Sequence, residues 1–141
     1  MRHEEIKVLL IQFRPDDARD HEFDSTVQFS GLKDEQIVKF DALTQKVSVD
    51  LLDNINVIIV GGAGDYLLSN GDIKKEVDDV IILLKEARKR QMPILGICFG
   101  AQIIAVAFGG IVELRGDDFQ ESGTFGITKN LHAGDCPILL E

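Results

Sequence analysis

Cysteine is scarce: the 141 residues hold two, Cys98 and Cys136. Two thiols in a chain of this length exclude a disulfide-stapled secreted scaffold. No CxxC pair and no Cys/His cluster has the spacing of a zinc site, and the three histidines, His3, His21 and His132, are scattered. No metal or other cofactor is expected. No apolar run approaches the ~20 residues of a membrane span. The charged opening Met1-Arg2-His3-Glu4-Glu5 lacks the layout of a secretory signal. Basic residues are outnumbered, 15 against 24 acidic ones, for a net charge of −9 and a pI near 4.7. Such a surface repels phosphate backbones, so neither nucleic acid nor a membrane is an expected partner. The run Lys85-Glu86-Ala87-Arg88-Lys89-Arg90 closes a predicted helix, where cations complement the helix dipole. Internal repeats and low-complexity segments are absent. The setting this implies is reducing and cytoplasmic.

What is present is the raw material of one core. The apolar share is 45%, and a chain of this length suits a single domain. Lys7 to Phe13 is a short apolar run ended by Arg14-Pro15-Asp16-Asp17, as in a buried parallel strand. Ala18 to Ser30 reads as a helix closed by Gly31. Gln36 to Leu43 and Val57 to Val60 read as strands, the latter stopped by Gly61-Gly62. Ser69-Asn70-Gly71-Asp72 offers turn and N-cap chemistry. Ile73, Val77, Val80, Ile81, Leu84 and Ala87 follow at helical spacing. Pro93 to Ile97 is a further strand and Phe99 to Phe108 a helix, closed by Gly109-Gly110. Ile111 to Leu114 and Phe125 to Thr128 read as short strands. Strands alternating with helices predict an α/β three-layer sandwich around a largely parallel sheet. In such sheets ligands bind beyond the carboxyl ends of the strands.

The chemistry concentrates in Pro93-Ile94-Leu95-Gly96-Ile97-Cys98-Phe99-Gly100-Ala101-Gln102. A buried strand meets a helix with one nucleophile between them and small residues two before and two after it. This is the layout of a nucleophile elbow, with Cys in place of Ser. The glycines let strand and helix backbones approach, and the strained turn exposes the side chain above the sheet. A helix N-terminus favours the thiolate, the reactive form. The Phe99 N–H points at the same spot and can stabilise an oxyanion. A second donor is available from the Gly61-Gly62 loop. Position alone would also suit a cysteine that merely packs; Gly96, Gly100 and Gln102 together tell against that.

The segment Gly96-Ile97-Cys98-Phe99-Gly100-Ala101-Gln102 resembles the G-[IVL]-C-x-G-x-Q signature of class I, triad-type glutamine amidotransferase domains. Val57-Ile58-Ile59-Val60-Gly61-Gly62 is similar to their glycine-rich oxyanion loop, and Phe108-Gly109-Gly110-Ile111-Val112 to the continuation after the elbow helix. Glu121-Ser122-Gly123, Gly126-Ile127-Thr128 and Pro137-Ile138-Leu139 are similar to later family segments, in the right order. The resemblance implies a flavodoxin-like fold and hydrolysis of glutamine to glutamate and ammonia, with the ammonia passed to a synthetase domain or subunit. It implies Cys98 as nucleophile, the Phe99 and Gly62 N–H groups as the oxyanion hole, and Gln102, with Gly61 and Gly100, around the substrate. Glu121 would be a structural carboxylate.

The family completes its site with a His-x-Glu pair well after the cysteine. His132 follows Cys98 too closely, and Gly134 stands where the Glu would be; His132 reads as a loop residue. His21 precedes the glycine-rich strand and fits the base less well still. The chain also stops on the apolar run Pro137-Ile138-Leu139-Leu140. The expectation is therefore a single incomplete domain over residues 1–141, a piece of a longer enzyme. A split or domain-swapped enzyme with its base on another chain and a non-catalytic assembly or regulatory relative stay open, as does another Cys-elbow hydrolase or peptidase. Missing strands would leave an uncovered sheet edge and a route to self-association. The charged stretch Arg14 to Ser25 is a candidate partner surface, or simply a solvated helix face.

Overall fold

The computed structural model describes residues 2–114. Its regular elements are strand β1 (Val8–Gln12), helix α1 (Ala18–Ser30), β2 (Ile37–Asp41), β3 (Val57–Val60), α2 (Lys74–Lys89), β4 (Ile94–Gly96) and α3 (Phe99–Ala107), joined by loops and short 3₁₀ turns. The strands form one parallel sheet in the order β2-β1-β3-β4. Val8 lies opposite both Ile37 and Val57, and Ile58 opposite Ile94. All four strands therefore run out at the same end.

A parallel sheet is covered on both faces, which is why β1 is buried at every position. Alternate side chains sort to the two sides. Leu9, Ile11, Ile58 and Val60 pack with Val77, Val80, Leu83 and Leu84 of α2 and Ile103 of α3. Val8, Leu10, Ile37 and Ile59 meet Phe23 and Val27 of α1. The layers are thus α1 on one face and α2 with α3 on the other, the α/β sandwich expected from the alternating pattern. Truncating the fully buried Leu84 to alanine is expected to cost about 2–5 kcal/mol. The same truncation at exposed Ile82 should stay within ~0.5 kcal/mol. Urea midpoints of the two variants check the contrast.

The face carrying α1 is less completely covered. No residue of α1 is fully buried, and Leu95 and Ile97 at the β4 edge are 40% and 46% exposed. An apolar groove of about 590 Å³ runs between α1 and this edge. Among the described residues, β4 has one neighbour in the sheet, β3.

Three local expectations are corrected. Ile111 to Leu114 form no strand, and Ile111 and Leu114 are exposed. Asp72 does not cap α2: its Oδ2 accepts the Leu67 N–H at 2.9 Å, closing the loop over the 3₁₀ turn Leu68–Asn70. Ile73 instead precedes α2, at a positive φ of 45° and with no side-chain cap. The strand expected over residues 36–43 is shorter, Ile37–Asp41, because Gln36 ends a 3₁₀ turn and Ala42 begins the next loop. The strand expected over residues 125–128, together with Glu121, His132, Cys136 and Pro137 to Leu139, lies outside the described residues.

Candidate functional site

Beyond the carboxyl ends of β3 and β4, the chain makes the turn that the sequence predicts. Cys98 sits between β4 and α3 with φ 52° and ψ −111°, a conformation that L-residues with a β-carbon rarely adopt. Its side chain is exposed and its thiol free. The turn is held by main chain on both sides. The Ile97 N–H donates to the Val60 carbonyl at 2.9 Å, tying the elbow to β3, and the Gly100 and Ala101 N–H groups donate to the Ile97 and Cys98 carbonyls at 3.0 Å.

The two flanking glycines have a steric cause. A β-carbon at Gly96 would lie 2.6 Å from the Ala101 nitrogen and 2.7 Å from the Gly100 carbonyl carbon. One at Gly100 would overlap the Val60 carbonyl oxygen and lie 2.9 Å from the Gly61 oxygen. The start of α3 is therefore in backbone contact with β3 and the Gly61-Gly62 loop, which sets Cys98 beside that loop.

Phe99 anchors the helix start. Its ring is buried and meets Phe13 edge-on, with centroids 5.5 Å apart and planes at 70°. This fixes the first turn of α3, whose N–H groups carry the positive end of the helix dipole. Gln102, one turn further on, is exposed on the same helix.

The Gly61-Gly62 loop is buried. The Gly61 N–H donates to the Ile11 carbonyl at 2.9 Å. The Gly62 N–H, expected to face the reacting oxygen, donates instead to Oε1 of Glu22 at 2.7 Å. Glu22 belongs to α1 and is otherwise surrounded by donors. Its Oε2 accepts from the Gln12 side-chain amide at 3.1 Å, and the Arg14 guanidinium stands 3.9 Å from its Oε1. Gln12 also donates to the Arg19 carbonyl at 2.7 Å, and Arg19 pairs with Asp41 at 2.7 Å. A β-carbon at Gly61 would strike the Glu22 carboxylate, and one at Gly62 would come within 2.9 Å of Arg14 Nη2, so either would displace the end of a side chain from this arrangement.

Sequence reasoning thus located the elbow and the glycine loop but missed Gln12, Arg14 and Glu22. Gln12 carried a signal, being a polar residue at the end of an otherwise apolar strand and now 1% exposed. Arg14 and Glu22 sat in the charged stretch read as a partner surface or solvated face. They turn inward instead, toward the same sheet end as the cysteine. His21 lines the groove that also touches Arg14, Glu22 and Ile97. Among the described residues no cluster of His, Cys, Asp and Glu could hold a metal ion, and no helix is long and apolar enough to cross a membrane.

Comparison with known proteins agrees with this geometry. CTP synthase of Rickettsia conorii is 28% identical over 102 residues, covering 69% of this chain and 17% of the relative. The glutamine-hydrolyzing GMP synthase of Petrotoga mobilis is 39% identical over 67 residues, covering 46% of this chain and 11% of the relative. The chain thus spans less than a fifth of either relative's length. The family described as glutamine amidotransferase class-I matches residues 23–138, from within α1 through the elbow and beyond. That match takes in most of the chain, which therefore belongs to the class-I glutamine amidotransferase family.

Proposed function

We propose that this chain carries the glutaminase half-reaction of an amidotransferase. The observation that carries the reading is Cys98, exposed on a positive-φ turn at the start of α3, whose Gly100 packs by its backbone against Val60 and Gly61. The Cys98 thiolate attacks the side-chain carbonyl carbon of glutamine. A C–S bond forms and the carbonyl oxygen takes the negative charge. The intermediate collapses with protonation of the nitrogen, ammonia leaves, and a thioester remains. Water then cleaves the thioester to glutamate and regenerates the thiol. The Phe99 N–H, at the helix start, supplies one oxyanion donor and the Gly62 N–H the second. Gln102 helps hold the substrate beside the elbow helix.

The names of the two relatives, a CTP synthase and a glutamine-hydrolyzing GMP synthase, support delivery of the ammonia to a synthetase domain or subunit. The proton acceptor for Cys98 is the remaining element. From Cys98 to Glu141 the sequence contains no His-x-Glu. That observation also keeps a second reading in play, a relative that retains the elbow and serves assembly or regulation.

The test is release of glutamate and ammonia from glutamine by the full-length protein with its synthetase partner, beside Cys98→Ala. Turnover abolished by the substitution is the expected result. Ammonia release that survives it would remove Cys98 from the chemistry. A folded protein with no turnover in either form would favour the second reading.

A further inference from the structure

Resting on the glutaminase reading, we propose that Glu22 is a latch on the oxyanion site: its carboxylate holds the Gly62 N–H that the reaction needs, and turnover requires that bond to open. An amide carries one hydrogen. While Gly62 donates to Glu22 Oε1 at 2.7 Å, it cannot give a full hydrogen bond to a developing oxyanion. A carboxylate beside the reacting carbonyl is also the wrong charge for that site, since it repels the negative charge that the intermediate acquires.

The contact is built rather than incidental. The Glu22 side chain is only 11% exposed. Its second oxygen is fixed by Gln12 at 3.1 Å, and Gln12 is itself buried and fixed by the Arg19 carbonyl at 2.7 Å. The absence of a β-carbon at Gly61 is what admits the carboxylate to the loop. The latch thus reaches from α1 across the end of β1 to the loop after β3. Its outer side opens on the groove lined by His21, Leu95 and Ile97. α1, which carries Glu22, and α3, which follows the elbow, cover opposite faces of the sheet, so the latch opens by displacement of α1 and not through the packing of α3.

In this resting arrangement the site has one oxyanion donor, Phe99, in place of two. Loss of a single such donor commonly slows acyl transfer by about 10²–10³-fold, so releasing Gly62 should raise kcat by up to about that factor. The substrate contacts at Gln102 are untouched, and KM should stay close to its original value.

The experiment uses the full-length protein, with Glu22→Ala and Glu22→Gln. Glutaminase kcat and KM are measured without the synthetase substrates, and the Gly62 amide is followed in ¹⁵N-glycine-labelled samples. The latch predicts a higher kcat in the alanine variant and a smaller rise in the glutamine variant, which keeps an acceptor oxygen. It also predicts a Gly62 proton that is downfield in the parent, as charge-assisted bonds are, and moves upfield on removal of the carboxylate. Turnover unchanged or reduced in a folded variant overturns the latch, as does a Gly62 resonance indifferent to Glu22. Should the alanine variant fail to fold, the glutamine variant decides on the same two readouts. If no form releases ammonia, the latch falls, since freeing the donor then gains nothing. Labelling of Cys98 by a glutamine-mimicking diazoketone decides separately whether the glutaminase reading survives.

Discussion

Gly100→Ala should cost at least about 3 kcal/mol of stability, beyond the usual range for overpacking by one methyl group. The added carbon would occupy the space of the Val60 carbonyl oxygen and crowd that of Gly61. Both are main-chain atoms, so no rotamer change makes room. Relief requires the whole start of α3 to lift from the end of β3, and that would break the Ile97-to-Val60 hydrogen bond at 2.9 Å and disturb the Phe13–Phe99 contact. Helix propensity acts the other way, favouring alanine over glycine by about 1 kcal/mol, but the clash is larger and sets the sign. Against a typical total of about 5–15 kcal/mol, the loss is a substantial fraction. Urea or thermal unfolding of the purified variant measures it, and an unfolding midpoint equal to that of the parent would mean that the close approach of α3 to β3 is wrong. Because the Phe99 N–H moves with the helix, any folded remainder should also be a poorer glutaminase.

At Cys98 itself, substitution by glycine should separate activity from stability. Ammonia release should fall by at least about a thousandfold, the scale expected when a nucleophile is deleted. Stability should rise. The backbone at Cys98 has φ 52° and ψ −111°, and holding a non-glycine residue in such a region costs about 1–3 kcal/mol. Glycine removes that strain and gives back about 0.5–1 kcal/mol through its freer unfolded chain. A net gain of about 1 kcal/mol remains. Cys98→Ala removes the same sulfur and keeps the strain, so the glycine variant should outlast the alanine variant in thermal melts. Equal melting of the two would show that the elbow is not strained.

Much of this architecture is legible in the chain, and the legible parts share a cause. β3 is a run of β-branched residues closed by two glycines, and α1 ends where Gly31 takes a left-handed φ of 68°. These are local features, written in neighbouring residues. Gly96 and Gly100 could be read as close-approach positions because a strand-to-helix turn needs them on either side of the nucleophile. The misreadings concern residues whose partners or backbone conformation are set by the folded chain. Glu22 is 40 positions from Gly62, and nothing in its own surroundings distinguishes it from the solvated acids Asp20 and Asp24. Asp72 has the chemistry of an N-cap, but the Leu67 N–H reaches its carboxylate first. Ile73, branched at the β-carbon, holds a positive φ that no propensity would assign to it. At Glu22 and Asp72 a contact made by the folded chain outweighs the local preference.

The meeting of α3 with β3 has a consequence for adaptability. Where two elements touch through side chains, a lineage can adjust their separation in small steps, exchanging leucine for valine or valine for alanine. Between Gly100 and the Val60 carbonyl there is no side chain to exchange. The spacing of nucleophile and glycine loop is set by the thickness of the peptide backbone itself, and substitution can only widen it. Variation in rate or specificity must therefore enter through groups that approach this fixed pair from outside, such as the α1 carboxylate, the groove beside β4 and the exposed face of α3.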